Sequence, residues 1–126
     1  MLRLAPALAL LILTLPPPAL ADITGKPRVV DGDTIHIGRT KIRLHGIDAP
    51  ENKQSCTAYG KEWPCGQEAT QALVEAISEQ PVTCKGKKRD RYKRLLAVCY
   101  VGNINLNAMI VRNVLSRKAL IRSSFN

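Results

Sequence analysis

The run RLHGIDAPE, residues 43–51, sets an arginine, an aspartate and a glutamate close together in a basic chain, and VVDGDTIHIG, just upstream, sets two aspartates around Gly32. If residues 33–38 and 40–46 pair as a hairpin and the chain turns again between Gly46 and Pro50, Asp33 and Asp48 meet at one end of the sheet. Two carboxylates, a backbone carbonyl and water make an oxygen-only ligand set of the kind Ca²⁺ takes, with about 6–8 ligands at ~2.3–2.6 Å. An EF-hand is excluded, because Ile35 and Ile37 fall on ligand positions and no glutamate closes the loop; Asp31 reads as a turn former. Glu51, just beyond Pro50, is near enough to share the site, where a carboxylate orients a water or takes its proton. Arg43 and Arg94 come from different strands, and two guanidinium groups can neutralise charge on a pentacovalent phosphoryl group. Each residue also has a plainer reading: turn or edge aspartates, an exposed loop glutamate, and surface arginines.

The elements that must position these groups are legible in outline. Residues 28–47 are β-branched and alternating, with turns at Asp31-Gly32 and Gly38-Arg39, which predicts antiparallel strands over 27–31, 33–38 and 40–46. Residues 49–63 read as an irregular loop. Pro64 opens a helix whose buried face is Ala69, Ala72, Leu73, Ala76 and Ile77, and Pro81 ends it. Residues 81–84 and 95–101 read as two more strands joined by the basic run KGKKRDRYKR. Asn105 is placed to cap a second helix that buries Leu106, Met109, Ile110 and Val114. The order predicts an α+β domain: a five-stranded antiparallel OB-fold barrel with two helices.

Composition narrows the setting. Nineteen Lys+Arg against ten Asp+Glu among 126 residues give a formal net charge of +9, which suits a polyanionic partner. Residues 1–21 have the pattern of a signal peptide: Arg3, an apolar stretch Leu4–Leu15, and Ala19-Leu20-Ala21 as a cleavage site. The apolar stretch is broken by prolines and too short to span a bilayer. The expected mature unit is therefore one domain, residues 22–126, secreted or periplasmic, with no membrane anchor, and a monomer. An even set of four cysteines in a small exported domain points to disulfides rather than zinc or a catalytic thiol. Of the three possible pairings, Cys56–Cys65 with Cys84–Cys99 is the most local and is the one expected. His36 and His45 read as ordinary strand residues.

The motifs D-G-D-T, R-L-x-G-I-D-A-P-E and D-R-Y-x-R together resemble the thermonuclease, or staphylococcal-nuclease-like, family over roughly residues 27–115. The resemblance implies that Asp33 and Asp48 ligate Ca²⁺ with help from the Ala49 carbonyl. It implies that Glu51 is the general base or positions the attacking water, and that Arg43 and Arg94 bind the scissile phosphate. Arg91 and Tyr92 fall where the family contacts a terminal phosphate, and the implied substrates are DNA and RNA. Two departures stand out. The family usually has glycine where this chain has Lys93, so a positive φ there would cost on the order of 1 kcal/mol. From Val114 onward the sequence VLSRKALIRSSFN diverges from the family's ending, which suggests that a closing helix is missing. A nucleic-acid-binding OB module without turnover is the alternative expectation.

Overall fold

The computed structural model describes residues 2, 12–15 and 22–113. Most of the expected signal segment, Val114 and the divergent ending lie outside the described residues. No helix among the described residues is long and apolar enough to cross a membrane.

Strands β1 (Ile23–Gly25), β2 (Arg28–Asp31), β3 (Thr34–Ile37) and β4 (Thr40–Leu44) come first, followed by a short hairpin of β5 (Cys56–Ala58) and β6 (Lys61–Trp63). Helix α1 (Cys65–Ile77), β7 (Val82–Arg89), β8 (Leu95–Val101) and β9 (Ile104–Asn105) complete the order, and residues 106–113 form helix α2. The main sheet runs β1-β7-β8-β4-β3-β2, with β9 beside β8. It curls into a partial barrel, with β1 lying against β3 as well as pairing with β7. This is the expected α+β, OB-like arrangement, with two corrections: β1 and β9 make the main sheet seven-stranded where five strands were expected, and β4 and β8 pair in parallel, because α1 and β7 carry the chain across before it returns.

Alternation explains which faces are buried. Along β8, Leu95, Ala97, Cys99 and Val101 point inward and the residues between them do not. Ile35, Ile42 and Leu44 close the core from β3 and β4, and α1 lays Leu73 and Ile77 on it, as its periodicity predicts. Helix α1 stops at Ile77, before Pro81: Ser78 and Glu79 adopt left-handed conformations, and the Ser78 N–H returns to the Val74 carbonyl. Asn105 caps α2 through its side-chain oxygen and the Ala108 N–H (3.0 Å), as expected.

Both expected disulfides form. Cys84 and Cys99 face each other across β7 and β8 with Cα atoms 4.1 Å apart, deep in the core. Cys56–Cys65 ties the β5–β6 hairpin to the first residue of α1. A cross-link closing 15 residues, as Cys84–Cys99 does, contributes about 3 kcal/mol in the chain-entropy account.

Candidate active site

Asp33 lies at the tip of the β2–β3 hairpin and is buried. Its Oδ1 accepts the Thr34 hydroxyl at 2.8 Å and its Oδ2 accepts the Ala49 N–H at 3.0 Å. Thr34 stands opposite Arg43 in the β3–β4 register, so Arg43 emerges beside Asp33, and its Nη1 lies 3.0 Å from Asp33 Oδ2. The same guanidinium donates to the Ile47 carbonyl at 2.8 Å and reaches Asp48 Oδ1 at 3.4 Å. Asp33, Arg43, Asp48 and Ala49 are therefore brought together, with Arg43 between the two carboxylates. Asp48 is 96% exposed on its side chain against 10% for Asp33. One carboxylate is thus fixed and the other is open to solvent. The turn between them uses Gly46 at φ +78°. Residues 43–48 and Leu96 line an open cleft of about 370 Å³.

Glu51 is held through its backbone. Its N–H donates to Gln54 Oε1 (3.3 Å), its carbonyl accepts the Gln54 N–H (2.8 Å), and the Gln54 carbonyl accepts the Gly66 N–H (3.0 Å). A Cβ on Gly66 would overlap the Glu51 carbonyl oxygen, so α1 approaches this loop as only glycine permits. Asp31, read as a turn former, also accepts the Asn52 N–H at 2.7 Å and so ties the same loop to β2. The Glu51 side chain is exposed. Among the described residues no three His, Cys, Asp or Glu side chains gather as a ready metal cage.

Arg94 sits one residue before β8, which runs beside β4. Its Nε donates to Asp90 Oδ2 at 2.7 Å, and Asp90 Oδ1 accepts the Tyr92 and Arg94 N–H groups. The Arg94 and Arg91 guanidinium groups lie 5.4 and 4.9 Å from the Tyr92 ring centre. Burial pushes the Asp90 carboxyl up, but its hydrogen bonds from Arg94 and Tyr92 and the Arg94 charge outweigh that and hold it below the ordinary value. The two expected phosphate clamps thus stand on β4 and just ahead of its neighbour β8, each already paired with aspartate.

Lys93 adopts φ +64°, the conformation its family counterpart glycine would favour. Left-handed strain costs a non-glycine residue about 1–3 kcal/mol, whereas glycine adds about 0.4–1 kcal/mol of unfolded-state entropy. Lys93→Gly is expected to raise stability by about 1 kcal/mol. On a domain of this size the melting temperature should rise by roughly 4–8 °C. A lower melting temperature in a thermal scan would show that the lysine fits this turn without strain.

Asn107 was not singled out in the sequence. It is buried in the first turn of α2, donates to the His45 and Ala97 carbonyls at 2.9 and 3.0 Å, and accepts the Cys99 N–H at 3.0 Å. It pins the end of β4 where the loop carrying Asp48 and Glu51 begins. The available signal was a polar residue directly after Leu106 on an otherwise apolar face.

Comparison with known proteins places this arrangement. The model of the family described as "Staphylococcal nuclease homologue" matches residues 41–126. The chain belongs to that family. The matched span holds Arg43, Asp48, Ala49, Glu51, Arg91, Tyr92 and Arg94. Asp33 lies ahead of it, and the span runs past residue 115, where the sequence resemblance stopped, to the chain end. The chain is 38% identical over 95 residues to "Succinoglycan biosynthesis protein ExoI" of Rhizobium meliloti, covering 74% of this chain and 50% of that protein. It is 38% identical over 102 residues to an "Uncharacterized endonuclease" of Escherichia coli O157:H7, covering 76% and 61%. It is 30% identical over 104 residues to the "Thermonuclease" of Staphylococcus hyicus, covering 78% and 60%. The chain therefore spans between half and about three-fifths of the length of these relatives.

Proposed function

We propose that this protein is an exported, monomeric nuclease that hydrolyses phosphodiester bonds of DNA and RNA with Ca²⁺ as its metal. The observation that carries this reading is the Asp33–Arg43–Asp48 group, with Glu51 three residues beyond it on a braced loop. Names of relatives that include an endonuclease and a thermonuclease support it, and two disulfides support export. Asp33, Asp48 and the Ala49 carbonyl offer only hard oxygen donors, which fits Ca²⁺. Bound there, the ion would polarise a phosphate oxygen and lower the pKa of a coordinated water.

The chain's own residues divide the remaining work. Arg43 exchanges its carboxylate partners for phosphate oxygens as substrate enters. Arg94, held at Nε by Asp90, offers its terminal nitrogens to the same phosphate, and Arg91 and Tyr92, on the same turn, meet a terminal phosphate. Glu51 takes a proton from the attacking water as the new P–O bond forms. The ester P–O bond breaks, and the departing oxygen takes its proton from solvent. General-base catalysis contributes about 10²–10⁴-fold, so Glu51→Gln is expected to slow cleavage of single-stranded DNA and of RNA by that factor. The assay compares the oxidised protein with Ca²⁺ and with a chelator. Cleavage that ignores both the chelator and Glu51→Gln would refute the mechanism. Binding without cleavage would identify a nucleic-acid-binding module.

A further inference from the structure

The outward face of the β2–β3–β4 sheet carries a basic row that the proposed chemistry does not use. In register, Arg28 of β2 stands opposite His36 of β3, and His36 stands opposite Lys41 of β4. Arg28 Nη2 and His36 Nδ1 are 2.8 Å apart. Arg28 and Lys41 are exposed and His36 half-buried, while Ile35, Ile37 and Ile42 occupy the opposite, buried face. Among the described residues neither Arg28 nor Lys41 forms an ion pair with a carboxylate.

The row holds two cations, Arg28 and Lys41, one strand to either side of His36, and neither has a carboxylate partner among the described residues. Burial and then the charges of Arg28 and Lys41 hold the His36 pKa below its ordinary value, so the middle of the row tends to stay neutral. A polyanion lying across the row would give these two cations the negative partner they lack. Position identifies the polyanion. Lys41 and Arg43 share one face of β4, as His36 and Thr34 share one face of β3, because side chains alternate with period two. The row therefore lies one residue pair, roughly 7 Å, from the Thr34–Arg43 pair, whose arginine lines the cleft.

We propose that Arg28, His36 and Lys41 form a phosphate-binding track for the nucleic-acid strand that continues past the phosphate held at Arg43. This rests on reading Arg43 as the phosphate clamp. Positively charged grooves that follow a single-stranded backbone are a general means of holding substrate without sequence preference.

The test measures binding of labelled single-stranded DNA to the full-length protein in a Glu51→Gln background with Ca²⁺, across a range of salt concentrations. A dinucleotide that fills only the cleft is compared with a dodecamer that reaches the row. Each phosphate contact on a single strand contributes about 0.7 to the slope of log affinity against log salt. Arg28→Gln with Lys41→Gln is therefore expected to flatten the dodecamer slope by about 1.4 and to weaken dodecamer binding about tenfold at low salt. Dinucleotide binding and melting temperature should not fall. A control pair, Lys61→Gln with Arg112→Gln, removes equal charge from exposed positions elsewhere and should leave the slope unchanged.

An unchanged dodecamer slope overturns the track. So does an equal loss on the dinucleotide, which would mean distortion at Arg43, or an equal effect of the control pair, which would mean net charge alone. A parent protein that binds no dodecamer overturns it as well. Row-dependent binding by a protein whose Glu51 form cleaves nothing would leave the track standing and remove the nuclease reading.

Discussion

Gly66→Ala is expected to destabilise the protein by about 1–3 kcal/mol and to slow cleavage about 10–100-fold in the molecules that remain folded. Alanine is the better helix former by up to about 1 kcal/mol, which argues the other way. Steric overlap decides the outcome. The new Cβ would fall on the Glu51 carbonyl oxygen and close to the Glu51 carbonyl carbon and the Gln54 carbonyl oxygen, all backbone atoms that no rotamer change can move aside. Relief requires either α1 or the Glu51 loop to shift. The Cys56–Cys65 disulfide anchors the start of the helix, so the loop gives way first and takes Glu51 with it. Leu106→Ala is the control: Leu106 is fully buried in α2, and truncation there costs about 2–5 kcal/mol. That loss should appear in urea unfolding without a matching loss of turnover by the folded fraction. If both variants lose turnover only in proportion to their unfolded fraction, Gly66 does not position Glu51.

This contrast also marks what could be read from the sequence. The alternation of LLAVCYV and of TIHI is dictated by a buried face, so β8 and β3 were legible, as was the apolar stripe of α1. The strands of three residues, β1, β5 and β6, are too short to show a period. Residues 49–63 therefore read as loop, although Tyr59 and Gly60 form a tight turn with positive φ at both positions. The outer half of β7, read as a basic connection, has no buried side at all: Lys85 to Arg89 are exposed and bulged, and pairing with β8 alone makes them a strand. Within the site, the hairpin expected over residues 33–46 put Asp33 and Asp48 at one end of the sheet, and the motif resemblance added Arg43 to them. The supports were hidden because they act through backbone contacts across long separations, as Gly66 does on Glu51 and Asn107 on His45. Asp90 stands in the D-R-Y-x-R motif, but residue type alone does not reveal its grip on Arg94.

Arg43→Ala should separate two roles that the wild-type residue combines, lowering cleavage by about 10²–10³-fold while tightening Ca²⁺ binding. The loss follows from removing a preorganised donor to the phosphate. The gain follows from the contacts in the structure. Arg43 is bonded to the same two carboxylates proposed to hold the ion, so the guanidinium and the cation compete for Asp33 and Asp48. The contact to exposed Asp48 is long and worth little, so release of buried Asp33 dominates. That release is expected to improve Ca²⁺ affinity about five- to tenfold, which corresponds to roughly 1 kcal/mol. Without Ca²⁺ the variant should be less stable by about 2 kcal/mol. Loss of one partner of a buried pair costs about 3–5 kcal/mol when nothing else compensates, and Asp33 keeps its bonds from Thr34 and Ala49. Arg43→Lys should fall between, since an ammonium is a point charge that cannot bridge Asp33, Ile47 and Asp48 as the guanidinium does. Calorimetric titration with Ca²⁺ reads the affinity and single-turnover cleavage reads the chemistry. Weaker Ca²⁺ binding in Arg43→Ala would mean that arginine organises the two aspartates for the ion instead of competing with it. Wild-type cleavage by that variant would remove Arg43 from the phosphate altogether.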